Sequence, residues 1–130
     1  MLSQQKNISQ HAIYQKKCDL LLEQSEIRFA GLLDSMGNLL VGGFKDGITP
    51  LNDETQKREM CMEVALRTAT RRDFDEPLGK VEFAAAKREK VVMMSFPLNK
   101  NILLISAETD VDINKTAVKV MKIWQVGKRF

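Results

Sequence analysis

The sequence predicts an α+β domain: a five-stranded antiparallel sheet with helices on both faces, in the order α-β-β-α-β-β-β-α. Three observations predict it. Apolar residues recur at helical spacing in three long segments. Several shorter runs alternate or are wholly apolar, as strands do. The links between neighbouring strands are hairpin-sized, which makes antiparallel pairing the natural arrangement. The 130 residues fit a single domain, 1-130.

The first helix is expected over about residues 8 to 24. There Ile8, Ala12, Tyr14, Cys18, Leu21 and Leu22 share one broad side, and Ile13 and Leu20 form a narrower stripe. Ile27 to Leu33 reads as a strand with Ile27, Phe29 and Leu33 on one face. Asp34 to Asn38 is a turn in which Gly37 takes a positive φ at no steric cost. Leu39 to Phe44 returns as the second strand, and Gly42-Gly43 predicts a bulge or a close backbone approach near its end. After a loop containing Gly47 and Pro50, Asn52 is expected to cap a helix running to about Arg72, with Asp53 and Glu54 at its positive end.

Asp73 to Gly79, with Pro77, reads as a connector. Three strands follow, Lys80 to Ala86, Val91 to Phe96 and Ile102 to Ala107, with Pro97 closing the second of them. Val91 to Met94 and Ile102 to Ile105 are apolar on both faces, which places them at the centre of a covered sheet. Val81, Phe83 and Ala85 alternate with Lys80, Glu82 and Ala84, which suits an edge strand. Asp112 caps a last helix, Ile113 to about Gln125, with Ile113, Ala117, Val120, Met121 and Trp124 as its buried stripe. Gly127 ends it ahead of a frayed tail, Lys128 to Phe130.

The second helix is the most informative element. At 100° per residue, Met60, Cys61, Met62, Val64, Ala65, Leu66 and Ala69 spread over roughly 240° of its circumference. A helix lying on one sheet needs an apolar arc of about 100° or somewhat more. The excess would form an unusually large apolar patch on a monomer. The expectation is a subunit interface in a symmetric homodimer. A charged residue at Met62 or Leu66 is then expected to split the pair while leaving the helix intact.

Composition and motifs exclude most chemistry. One histidine, His11, rules out a site with several imidazoles, and it lacks a nucleophile motif around which a triad would form. Cys18 and Cys61 form no C-x-x-C and lie in apolar stripes, so they read as inert core thiols in a reducing, cytoplasmic setting without a signal peptide or lipid anchor. No apolar run approaches the ~18 residues of a membrane helix. The glycines at 37, 42 and 43 lack the lysine and hydroxyl of a phosphate loop. Asp34, Asp46, Glu108, Asp110 and Asp112 lack the spacing of a calcium loop. No catalytic, cofactor-binding or metal-binding residue is therefore expected. The net charge is +3. Lys87, Arg88 and Lys90, with Arg67, Arg71 and Arg72, read first as a solvated hairpin tip and charged helix face, and second as a basic area drawn to an acidic protein surface. No aromatic residues are interleaved with them, as single-strand binders require, so nucleic acid is not the expected partner.

The element order and the hairpin Gly31-Leu32-Leu33-Asp34-Ser35-Met36-Gly37-Asn38-Leu39-Leu40-Val41 resemble the Roadblock / dynein light-chain-like family, of the wider profilin-like and longin-like group. The likeness runs from about Ile8 to Gln125. Arg28 to Leu51 and Arg88 to Glu108 also look like small uncharacterised archaeal proteins of this fold. The chain departs from the pattern at Gly42 to Gly47, where the exit of the second strand is longer and richer in glycine. The resemblance implies a non-enzymatic scaffold or regulator of small Ras-like GTPases that pairs with itself or with a related chain. It implies that pairing uses the second helix and the edge strand after it, here Met60, Cys61, Met62, Ala65, Leu66, Ala69, Val81, Phe83 and Ala85. Two other readings compete: a small-molecule sensor with a pocket between sheet and helices, and a weak nucleic-acid binder using the basic loops.

Overall fold

In the computed structural model, residues 2–125 are described, with side chains from Gln10 onward. The side chain of Ile8, the helix end at Gly127 and the tail beyond it lie outside the described residues. The elements are α1 (Leu2–Leu22), β1 (Ile27–Leu33), β2 (Leu39–Phe44), α2 (Glu54–Arg71), a short α3 (Asp75–Leu78), β3 (Ala84–Lys87), β4 (Val92–Leu98), β5 (Asn101–Ala107) and α4 (Ile113–Trp124). The strands form one antiparallel sheet in the order β2-β1-β5-β4-β3.

The sheet carries a helical layer on each face, as the sequence predicts. Cys18 and Leu21 of α1 and Ala117, Val120 and Trp124 of α4 pack on Ala30, Leu32, Met94, Phe96, Leu103 and Ile105. Trp124 stacks on Tyr14 with ring centroids 5.8 Å apart. Lys17 donates to the Trp124 carbonyl at 3.0 Å and so ties α1 to the end of α4. Among the described residues the opposite face is covered by α2 alone, whose Cys61 and Ala65 rest on Phe29, Leu33, Ile102 and Leu104.

Several local expectations are corrected. Helix α1 begins at Leu2, ahead of residue 8, and stops at Leu22. Asp53, one residue after Asn52, is the N-cap of α2. Its side chain accepts from the Gln56 amide while the Gln56 side chain accepts from the Asp53 amide, a full capping box. The connector is a helical turn followed by α3, with Pro77 in its first turn, where no amide hydrogen is needed. Pro97 lies inside β4, opposite Ile102. Ile27 does not share a face with Phe29 and Leu33: a register shift between Ile27 and Phe29 turns Ile27 toward α1 and α4. The irregularity opposite β2 falls between Leu32 and Leu33, whereas Gly42 serves a close approach to the backbone of Ala30. The edge strand starts at Ala84, so Val81 and Phe83 precede it. Phe83 instead stacks on Phe96, on the α1 and α4 side.

Candidate functional site

The surface with the most unspent chemistry surrounds α2. The helix crosses one face of the sheet unaccompanied, held by Cys61, Ala65 and Thr68, its buried residues. Its two flanks differ. On one, Met60 and Lys57 face a groove bounded by the β3–β4 hairpin. On the other, the backbone at Cys61 and Met62 abuts the β1–β2 turn at Gly37. Met60 and Met62 are about 200° apart around the helix axis, so they cannot serve one surface.

The nine interface positions expected from sequence therefore separate. Cys61 and Ala65, 6% and 5% exposed, are already part of the core of the single chain. Met62 and Leu66, 57% and 68% exposed, lie with Ala69 on the side away from β3. Met60 faces the β3 side, and Ala85 sits on the sheet edge itself. Val81 lines a small cleft of about 290 Å³ with Thr68, Arg71, Arg72 and Lys80. Pairing across the ladder puts Ala84 beside Ser95 and Ala86 beside Met93, on the face that carries α2.

The six basic residues also divide. Arg67 is paired with Glu63 at 3.2 Å on the exposed face of α2, an arrangement of little energetic weight. Arg71 and Arg72 sit at the end of α2 beside the β4–β5 hairpin, where Arg72 donates to the Asn99 carbonyl at 2.8 Å. Lys87, Arg88 and Lys90 line the groove at the other end of β4. That groove holds about 960 Å³. Sequence reasoning missed its floor. Met93 belongs to an apolar run, but strand alternation turns it away from Met94 and into the groove. Lys57, on a polar helix turn with no motif around it, lies 5.6 Å over the Phe44 ring.

Burial raises both thiols. Cys18 is pushed up to about 12 by burial, with the Asp19 charge adding to it. Cys61 is raised by burial against the opposing pull of Lys57. Neither is a poised nucleophile. Asp34 is an acceptor within its own turn, taking the amides of Met36 and Asn38 at 2.9 Å. Among the described residues no three metal-ligating side chains come together, and no helix is long and apolar enough to cross a membrane.

No curated protein matches the chain. Solved structures do. A Roadblock/LC7 domain from Streptomyces avermitilis superposes with a TM-score of 0.65, at 11% identity, over 88% of this chain and 93% of that one. The gliding protein MglB from Thermus thermophilus gives 0.61, at 13% identity, over 85% and 90%. An MglB with a tetrameric arrangement gives 0.59, at 14% identity, over 85% and 86%. At such identities the likeness establishes the fold, which is that of Roadblock/LC7 domains. A family model matches residues 6–130. The chain belongs to that family, DUF6659, a family of unknown function.

Proposed function

We propose that this chain is a non-enzymatic, cytoplasmic scaffold or regulatory domain that pairs with itself or a related chain and docks a protein partner. One observation carries the reading. Among the described residues the outer edge of β3 has no strand beside it, and its Ala84, Ala85 and Ala86 offer a bare main chain with Lys87 as the single charge of the strand. Natural edge strands are usually blunted by charge, proline or a bulge. A second β3 laid antiparallel here would join two five-stranded sheets into one. The Met60 flank of α2 lies on the same side, separated from β3 by a groove. Met62, Leu66 and Ala69, on the far flank, remain for another contact. The MglB with a tetrameric arrangement supports self-association as a capacity of this fold. A small Ras-like GTPase is the partner class that the Roadblock resemblance suggests.

Light scattering across a dilution series tests the pairing. The expected mass is twice 14.8 kDa, returning to 14.8 kDa in Ala85→Lys. A monomer at every concentration removes the reading. A persistent dimer in Ala85→Lys removes the β3 edge from it. The same measurement with purified small GTPases, loaded with GDP or with a non-hydrolysable GTP analogue, tests the partner class.

A further inference from the structure

The groove beside α2 has a chemistry that self-pairing does not account for. Its floor is apolar: Phe29 and Leu104 are buried there, and Phe44, Met60 and Met93 are half-buried. Its rim is basic: Arg28, Lys57, Lys87, Arg88 and Lys90 stand against Glu59 and Glu89. That excess of three positive charges equals the net charge of the whole chain, +3, so everything outside the groove sums to neutral.

Three of the five cations are already engaged. Arg28 meets Glu108 at 3.5 Å, Lys57 meets Glu54 and the Phe44 ring, and Lys87 donates to the Thr109 carbonyl at 2.9 Å. Arg88 and Lys90, on the β3–β4 hairpin, have no ion pair among the described residues. An apolar floor under unspent cations is complementary to a segment that is both acidic and apolar. Two copies meeting groove to groove, as a two-fold pair would, bring like charge against like.

We propose that this groove receives an acidic segment of a partner protein. One apolar side chain of the segment seats on the floor of Phe29, Phe44, Met60, Met93 and Leu104, and its flanking carboxylates are met by Arg88 and Lys90. This inference goes beyond the pairing reading and does not rest on it, because the groove is complete within one chain.

The test uses the full chain and a fluorescein-labelled peptide of alternating glutamate and leucine, followed by anisotropy. Binding is expected at low salt, weakening as salt rises. The double variant Arg88→Glu/Lys90→Glu should lose roughly tenfold in affinity, since two exposed attractive pairs become repulsive. Met93→Ser should also weaken binding, with its melting temperature recorded to show that it is folded. The proposal is overturned if a glutamate–serine peptide binds equally well, if a lysine–leucine peptide does, or if oleate displaces the probe as efficiently as unlabelled peptide. It is equally overturned if the charge-reversal variant changes molar mass while leaving peptide affinity intact, which would assign the groove to a second copy.

Discussion

Gly37 packs directly on the main chain of α2: a β-carbon added to it would fall 2.7 Å from the Cys61 carbonyl oxygen and 2.9 Å from the Met62 Cα. The turn between β1 and β2 therefore butts against the middle of the helix. Gly37 also has a φ of +87°, which an L side chain adopts only with strain. Gly37→Ala should cost about 2 to 4 kcal/mol, from the backbone conformation and from the forced shift of α2. Gly47 is the control, with φ +83° and open space around it. Gly47→Ala should cost only the conformational part, about 1 to 2 kcal/mol. Equal losses in urea denaturation would show that the turn does not brace the helix.

The two flanks of α2 predict different outcomes for two exposed substitutions. Leu66 is 68% exposed and lies away from β3, so Leu66→Glu should leave both the melting temperature and the molar mass essentially unchanged. Ala85→Lys should halve the mass and lower the melting temperature by the part that pairing contributes. A monomeric Leu66→Glu protein would move the self-contact to the far flank, where the helical wheel alone places it.

Acid should loosen the junction of α1, β1 and α4. Lys119 Nζ donates to Glu26 Oε2 at 2.9 Å. That hydrogen bond, against the opposing effect of burial, holds the Glu26 carboxyl below its ordinary value. Burial pushes Asp34 upward, but donors from Asn38 and Met36 outweigh it and leave that carboxyl lowered as well. A group whose folded pKa is depressed stabilises the fold above its unfolded value, near 4.3 for glutamate, and loses that contribution as pH falls through the folded value. Melting temperature should therefore decline below about pH 4. The decline should be shallower in Glu26→Gln. Identical pH profiles for the two proteins would show that Glu26 contributes nothing to the acid limb.

The thiols should report on packing. Cys18 is fully buried, with its pKa pushed up to about 12, so an aromatic disulfide reagent at about pH 8 should leave it untouched until denaturant is added. Cys61 lines the groove and has Lys57 nearby, so it should react first and more slowly than a free thiol. Simultaneous reaction of both, at the rate of global unfolding, would mean that the groove does not open to small reagents.

The sheet is legible from residues because its signals are local. Strand β1 begins and ends where Ile27 and Leu33 say it should, and β4 and β5, which carry the two runs apolar on both faces, lie inside the sheet. What escapes is the consequence of single-residue shifts. One irregularity between Ile27 and Phe29 exchanges faces, and alternation rules alone carry no sign of it. Asn52 and Asp53 are equally good caps by type, and the capping box through Gln56 selects the second. The apolar arc of α2 looks like one surface on a wheel, which shows how much of a helix is apolar, not what stands beside each sector. Here one sector meets the sheet, another the Gly37 turn and a third the groove. The groove requires Phe44, Met60 and Met93, which are distant in sequence and brought together only by the ladder and by α2.

The two borders of the sheet are not equivalent. At β2 the amide of Gly42 is taken by the Gln15 side chain of α1 at 3.1 Å, and the strand is irregular around Leu39. At β3, among the described residues, the alanines have no such cover. Strand addition would therefore meet less obstruction at β3 than at β2. A protein with two open borders can propagate into fibrils, whereas one with a single open border saturates after one addition. If β3 pairs as proposed, that asymmetry would act as a chain terminator and set a ceiling on stoichiometry through the sheet.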